Sequence, residues 1–255
     1  SKTNYRMDIL KIPKFTPSNS LLKGKEVLIT GAGSGIGREV ALACSEFGAN
    51  LILLSRNTKK LYSLQDQIVK NGYSEPLVVE FDFEKAKEKD YLNLFEKLCE
   101  EYEKLDGLVH IAGVLGYLSP VVNTSLNQLN TVMRVNFESN FLLTQLCTPL
   151  LLKSNNPSVI FTSSGVGRKG RAFWTSYSIS KFAIEGLMQV LADEYESSMR
   201  INSYNPGATR TAMRAQAFPA EDPMTLKTPR DRVNDYLWLL SDSNMSTGKA
   251  YDFYE

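Results

Sequence analysis

The sequence is poor in several residue types that commonly carry chemistry. It holds one histidine, His110, and three cysteines, Cys44, Cys99 and Cys147, in 255 residues. The odd, widely spaced cysteines argue against a disulfide framework or a zinc site. Buried, reduced thiols are the expectation. No cluster of histidine and carboxylate is present to bind a metal, so no metal site is expected. Charge of one sign is also missing. Lysine and arginine number 29 and aspartate and glutamate 28, so no global field draws nucleic acid or an anionic membrane. No apolar run is long enough to span a bilayer, and no signal-peptide pattern opens the chain. The expected location is the cytoplasm, with no nucleic-acid or membrane partner.

What is present is a repeating alternation. Residues 1–23 are polar, contain Pro13 and Pro17, and read as a surface arm, partly disordered. Short apolar strands are expected at 26–30, 51–54, 76–81, 108–111, 158–162 and 200–204. Helices are expected at about 35–47, 58–71, 84–102, 126–152 (interrupted near Pro149), 176–197 and 231–240. Repeated β-α units with fully apolar strands imply one α/β domain over residues 24–255. Its architecture is a doubly wound parallel sheet between two helical layers. Ligands in such sheets bind beyond the carboxyl ends of the strands, and the chain's motifs fall there.

Thr30-Gly-Ala-Gly-Ser-Gly-Ile-Gly37 joins the first strand to the first helix. Glycines permit a tight turn and close approach of backbone to a pyrophosphate, and a helix N-terminus presents free N–H groups to it. No Gly-Lys-Ser/Thr ending follows, which disfavours a P-loop. The second strand ends Leu54-Ser55-Arg56-Asn57, without an acidic residue to take the adenosine ribose hydroxyls. A guanidinium there can make paired, charge-assisted bonds to a phosphate, and Ser34 can add a hydroxyl. Alternatively Arg56 merely solvates a loop.

Tyr177-Ser-Ile-Ser-Lys181 puts a phenol and an ammonium on one face of a helix start. A free phenol, with a pKa of about 10, trades protons poorly at neutral pH, and a neighbouring Lys⁺ favours its phenolate. Alone, this spacing is common on helix surfaces. Ser164 precedes Tyr177 by thirteen residues, and Asn136 lies in Met133-Arg-Val-Asn136.

Taken in order, these segments resemble the short-chain dehydrogenase/reductase family over about residues 23–248. The turn matches its T-G-x-x-x-G-x-G pattern through Gly31, Gly35 and Gly37, with Gly33, Ser34 and Ile36 between. The segments 161–171, 188–195 and 206–214 look like a bacterial YciK-type subgroup of oxidoreductases. The resemblance implies a Rossmann-type fold, an NADP(H) cofactor and hydride transfer between a carbonyl and a secondary alcohol. It implies that Tyr177 is the general acid/base, that Ser164 binds the reacting oxygen, and that Lys181 lowers the phenol's pKa and holds the nicotinamide ribose. Asn136 would hold a water in the relay. Ser55 stands where NAD-using relatives have aspartate. Asp82 with Phe83 resembles an adenine contact, the alternative being a turn cap. Ala112 and Gly113 line the cofactor, and Pro206, Gly207, Thr209 and Thr211 seat the nicotinamide.

One departure stands out. The family has Asn-Asn-Ala-Gly after the fourth strand; here it is His110-Ile-Ala-Gly113. Ile111 replaces an asparagine that ties neighbouring strands, which puts local rigidity in question. His110 reads as packed or beside the cofactor, not as a base. Residues 211–230 read as a mobile lid over a partly apolar small molecule, with Phe173 and Trp174 facing the same pocket. Phe137, Phe141 and Leu142 are consistent with a homodimer or homotetramer and equally with packing within the chain. The rival readings are a non-catalytic NADP-binding regulator or scaffold and an NAD-dependent epimerase, the latter lacking room after Thr211.

Overall fold

A computed structural model describes residues 8–255. Among these, eight strands form one parallel sheet: β1 (Ile9–Lys11), β2 (Glu26–Thr30), β3 (Asn50–Ser55), β4 (Leu77–Glu80), β5 (Gly107–His110), β6 (Ser158–Thr162), β7 (Arg200–Asn205) and β8 (Ala250–Asp252). Their order is β1-β8-β7-β6-β5-β2-β3-β4. After β2 the chain winds outward through β3 and β4, then returns to β5 and winds the other way. β2 and β5 are therefore neighbours whose connections leave in opposite directions, and a crevice opens beyond their carboxyl ends. Their register pairs Leu28 with Leu108 and Ile29 with Val109.

Alternation along the strands builds two cores. Val27 and Ile29 of β2, with Leu51 and Leu53 of β3, face one layer; Leu28, Ile52 and Leu54 face the other. The first layer is α1 (Gly35–Glu46), α2 (Thr58–Lys70) and α8 (Val233–Leu240), which contribute Val40, Leu64 and Tyr236. The second is α3 (Glu88–Glu101), α5 (Ser139–Leu151) and α6 (Thr175–Glu194), contributing Leu98, Leu143 and Met188. Strands covered on both faces carry apolar residues without a polar alternation, as the sequence does. The expected fold is the one found.

The structure revises several local expectations. The segment read as a surface arm adds β1 to the sheet, pairing Ile9 with Ala250, and buries Ile12 and Leu22. Residues 1–7, the rest of that segment, lie outside the described residues. β1 and β8 span three residues each, too short to show a period. The helix expected from 126 to 152 is not broken at Pro149, which sits in the last turn of α5. It divides instead into α4 (Leu126–Met133), a π-helical turn over Arg134–Glu138, and α5. Such a turn inserts one residue and rotates its neighbours about the helix axis. Here that residue group contains Asn136. The helix expected from Glu84 begins at Glu88, because Asp82 O holds Lys85 and Ala86 in a turn. Cys44 and Cys147 are buried, and burial pushes both thiols up to about 12. Cys99 corrects the expectation of three buried thiols, since it lies on the exposed face of α3.

Candidate active site

The crevice predicted by the strand order is a cleft of about 1380 Å³. Gly31 opens it. Its φ of +64° is one that side chains disfavour, and a Cβ there would stand 2.8 Å from Ala112 N. The turn thus lies directly on the segment that follows β5. Gly37 serves the same turn from the first helical turn: a Cβ would fall 1.9 Å from Gly31 O. Gly37 is packed beneath the turn and does not line the cleft, contrary to its expected place among the lining residues. Gly31, Gly33, Ser34, Gly35 and Ile36 do line it. Ser34 precedes α1 without using its hydroxyl as a cap, which leaves that group exposed toward the cleft.

At the end of β3, Ser55 and Arg56 line the cleft together with Lys60, which sequence reasoning passed over. Lys60 is on the first turn of α2, so the cap made by Asn57 brings it to the same rim. Asp82 Oδ1 accepts from Glu84 N at 3.0 Å, so the turn-cap reading is realised, and Asp82 also borders the cleft. Phe83 packs against Phe81 and Tyr91 with one edge on the cleft.

The segment after β5 is tied to β2 without a side chain from position 111. Thr30 Oγ1, buried at the end of β2, accepts from Ile111 N at 3.0 Å and from Ala112 N at 3.1 Å. One hydroxyl can accept two bonds, and here it joins β2 to the segment after β5. Ile111 meanwhile packs into the first core. The threonine was visible as the residue before Gly31; its role was not, because it depends on which strand lies beside β2.

Tyr177, Ser164 and Lys181 meet at the middle of the cleft with Ala112 and Gly113. Tyr177 is hydrogen-bonded to Ser164. Lys181 Nζ lies 5.6 Å from the centre of the Tyr177 ring and donates to Thr162 O at 2.9 Å. Burial pushes the Tyr177 phenol up to about 12, opposed by the Ser164 bond. Burial brings Lys181 down to about 8, opposed by Glu185 one turn along. The Lys181 ammonium faces the Tyr177 ring and a carbonyl, and burial is the largest influence on the phenol.

Asn136 is fully buried and does not reach the cleft. Its Oδ1 accepts from Val114 N at 2.8 Å, while Nδ2 donates to Val114 O at 2.9 Å and Ser180 Oγ at 3.0 Å. Ser180 Oγ in turn donates to Tyr177 O at 2.7 Å. With both amide hydrogens used, the side chain joins the strand-end segment to the Tyr177 helix. Ser180 is a link that sequence reasoning missed. Its signal was its place three residues after Tyr177, where a serine bonds back to the helix backbone.

Pro206, Gly207, Thr209 and Thr211 form the far wall. Thr209 Oγ1 donates to Gly207 O at 3.1 Å and accepts from the buried Arg232 Nε at 3.2 Å, so one acceptor position remains free. Thr211 caps α7 (Ala212–Ala217) by accepting from Arg214 N at 3.2 Å, and its methyl would touch a Cβ on Gly35. The segment expected as a lid is α7 followed by short turns at Pro223–Thr225 and Pro229–Arg232. It is fastened by Gln216 Nε2 to Gly116 O at 3.1 Å and by Arg210 Nε to Pro223 O at 2.8 Å.

His110 faces away from the cleft. Its ring stacks on Phe161, 4.8 Å between centres and 1° between planes, and Nε2 lies 2.8 Å from Thr144 Oγ1. Burial, reinforced by the charge of Lys181, lowers it to about 3. Of the two readings open for it, the packed one holds. Phe137 and Leu142 pack against the second core, whereas Phe141 is exposed.

Residues 25–222 match the pattern that defines short chain dehydrogenases. The oxidoreductase YciK of Escherichia coli K12 is 46% identical over 239 residues, 93% of this chain and 95% of that protein. A short chain dehydrogenase of Escherichia coli CFT073, solved in complex with NADPH, superposes with a TM-score of 0.91. Its identity is 46%, over 92% of this chain and 99% of that one. One from Shigella flexneri 2a strain 301, solved with NADP, gives a TM-score of 0.90 at 45% identity, over 92% and 99%.

Proposed function

The chain belongs to the short-chain dehydrogenase family of oxidoreductases, and from that premise we propose that it interconverts a carbonyl and a secondary alcohol using NADP(H). The observation that carries the reading is the meeting of Ser164, Tyr177 and Lys181 in one cleft with the glycine turn. Similar proteins crystallised with NADPH and NADP support the choice of cofactor. So does the rim itself. Arg56 and Lys60 stand there with no carboxylate in ion-pair contact among the described residues. The hydroxyls of Ser34 and Ser55 lie beside them. Two cations and two hydroxyls fit a phosphate on the adenosine ribose; they would leave an unphosphorylated ribose facing uncompensated charge.

When bound, the nicotinamide gives hydride to the carbonyl carbon or takes it from the alcohol. The chain's own residues handle the oxygen and the proton. Ser164 turns its hydroxyl from the Tyr177 oxygen to the reacting oxygen. Tyr177 Oη gives its proton to that oxygen in reduction and recovers it in oxidation. A phenol held at about 12 stays protonated at neutral pH and is loaded for reduction, since an alkoxide is a far stronger base than a phenolate. Oxidation needs the phenolate, and the positive charges of Lys181 and an oxidised nicotinamide favour it. Asn136 positions the helix start through Ser180 and does not itself touch the reactants. Ala112, Gly113, Pro206, Gly207, Thr209 and Thr211 bound the nicotinamide end, and Asp82 and Phe83 the adenine end. We assign assembly as a homodimer or homotetramer to the face bearing Phe141, Ile179 and Phe182, which are exposed in the single chain.

Titration with NADPH and NADH tests the cofactor. NADPH should bind the more tightly, and Arg56→Ala should abolish the preference. Tyr177→Phe should retain NADPH binding and lose turnover of carbonyl compounds. Equal turnover in that variant would remove Tyr177 from the chemistry. Tight NADPH binding with no turnover of any carbonyl compound by the native chain would favour a regulator or scaffold.

A further inference from the structure

The substrate half of the cleft is charged on one side only. The carboxylates that line the cleft are Asp82 and Glu84, both beyond β4 at the adenine end. Around Trp174 and Phe218, at the opposite end, the charged side chains are Lys169, Arg171 and Arg214. Arg214 is already neutralised. Its Nε and Nη2 each donate to Glu221 at 2.9 Å, and the guanidinium holds the Glu221 carboxyl below its ordinary value. Neither Lys169 nor Arg171 has such a partner: among the described residues no carboxylate lies in ion-pair contact with either.

Arg171 is nevertheless placed. Its guanidinium lies 5.9 Å from the centre of the Trp174 ring and 5.7 Å from that of Phe218, bridging the loop before α6 and helix α7. Aromatic faces attract a guanidinium without satisfying its hydrogen-bond donors. The loop that carries it is built with strain. Phe173 has a φ of 75°, the one non-glycine residue in the left-handed region among those described. Conformations of this kind persist where the surroundings impose them. Here Phe173 O accepts from Ser119 N at 2.9 Å, Thr175 Oγ1 donates to Ser119 O at 3.1 Å, and Ser176 Oγ donates to Gln128 Oε1 at 2.8 Å. The Trp174 ring in turn meets the Tyr177 ring edge-on at 5.9 Å. The phenol, an apolar wall and an unpaired cation therefore follow one another along the cleft.

We infer that the substrate carries an anionic group, a carboxylate or a phosphate, on a flat or apolar body. Arg171 receives the anion and Trp174 the body, since the Phe218 ring is already covered by Arg214, whose Cζ lies 3.8 Å from its centre. The inference rests on the proposed carbonyl–alcohol chemistry at Tyr177, and it extends the expectation of a partly apolar substrate. A guanidinium suits it, being weakly hydrated and forked to match two oxygens.

The test compares three aldehydes of one shape with NADPH: 4-carboxybenzaldehyde, 4-formylphenyl phosphate and methyl 4-formylbenzoate. The better anion should exceed the neutral ester in kcat/KM by about tenfold or more, through KM, as a charged hydrogen bond warrants. Whichever anion gives the larger ratio identifies the headgroup. In Arg171→Ala the ratio should fall to near one, and Arg171→Lys should keep part of it. A ratio near one in the native protein, or the same ratio in Arg171→Ala, would overturn the inference. Calorimetric titration of the NADP-loaded protein with benzoate and with benzamide separates this from the chemistry. Benzoate binding that needs Arg171, with no aldehyde turned over, would sink the carbonyl reading and leave the anion site standing. Turnover without any charge preference would do the reverse.

Discussion

Acid should destabilise this protein through its single histidine, and the size of the effect can be worked out. His110 is fully enclosed, stacked on Phe161 and held at Nε2 by Thr144. Its Nδ1 is buried without a hydrogen-bond partner, so a proton added there would have nothing to receive it. Burial and the nearby Lys181 charge lower the imidazole from 6.5 to about 3. Between these values the unfolded chain binds a proton that the folded chain refuses, so stability is lost as pH falls through the window. At 1.36 kcal/mol for each pH unit, the whole window is worth about 5 kcal/mol, and the step from pH 7 to pH 5 about 2 kcal/mol. The comparison is His110→Gln, which can still reach Thr144 but does not titrate. Urea unfolding at pH 7 and pH 5 should show the native chain losing about 2 kcal/mol more than the variant. Carboxylates such as Asp106, whose carboxyl is lowered by Lys104 and Ser154, titrate in both proteins and cancel. Because the chain has one histidine, its ring resonances are unambiguous and should stay those of a neutral imidazole at pH 5. Equal losses in the two proteins, or a ring that titrates near 6.5, would refute the reasoning.

Thr30→Val should cost about 1–3 kcal/mol, because two backbone N–H groups lose their acceptor. It should also weaken NADPH binding by loosening the glycine turn against Ala112; Thr30→Ser should restore both, and thermal melts with nucleotide titration would show a failure of either. In the reductive direction, kcat/KM should decline as pH rises through about 8, where Lys181, lowered from 10.5, gives up its charge and leaves the Tyr177 phenol a weaker proton donor. Lys181→Arg should move that falling limb to higher pH, and a limb that stays in place would assign it to another group.

Most of the fold was legible because buried parallel strands and their covering helices write strong periods into the chain. The misreadings fell where periodicity is silent. β1 and β8 are three residues long, and their partner strand is distant in sequence. The break in the long helix was sought at Pro149, where a proline lacks its N–H. The chain accommodated that loss near the end of α5 and instead widened at Asn136, where the amide side chain is drawn to Val114 and Ser180.

The sequence by itself determined the glycine turn, the absence of an acid after β3, and the order of Ser164, Tyr177 and Lys181. These depend on residue types at fixed offsets within one strand, turn or helix. Only the tertiary structure decided which strands are neighbours, and with that the rest. It made Thr30 the tie across β2 and β5 and sent Asn136 into the scaffold. It cancelled Arg214 with Glu221 while leaving Arg171 open, and it set the phenol at about 12. Hydrogen bonds and charges act through space over a few ångströms, and desolvation depends on everything packed around a group. Neither quantity exists until the chain has closed on itself.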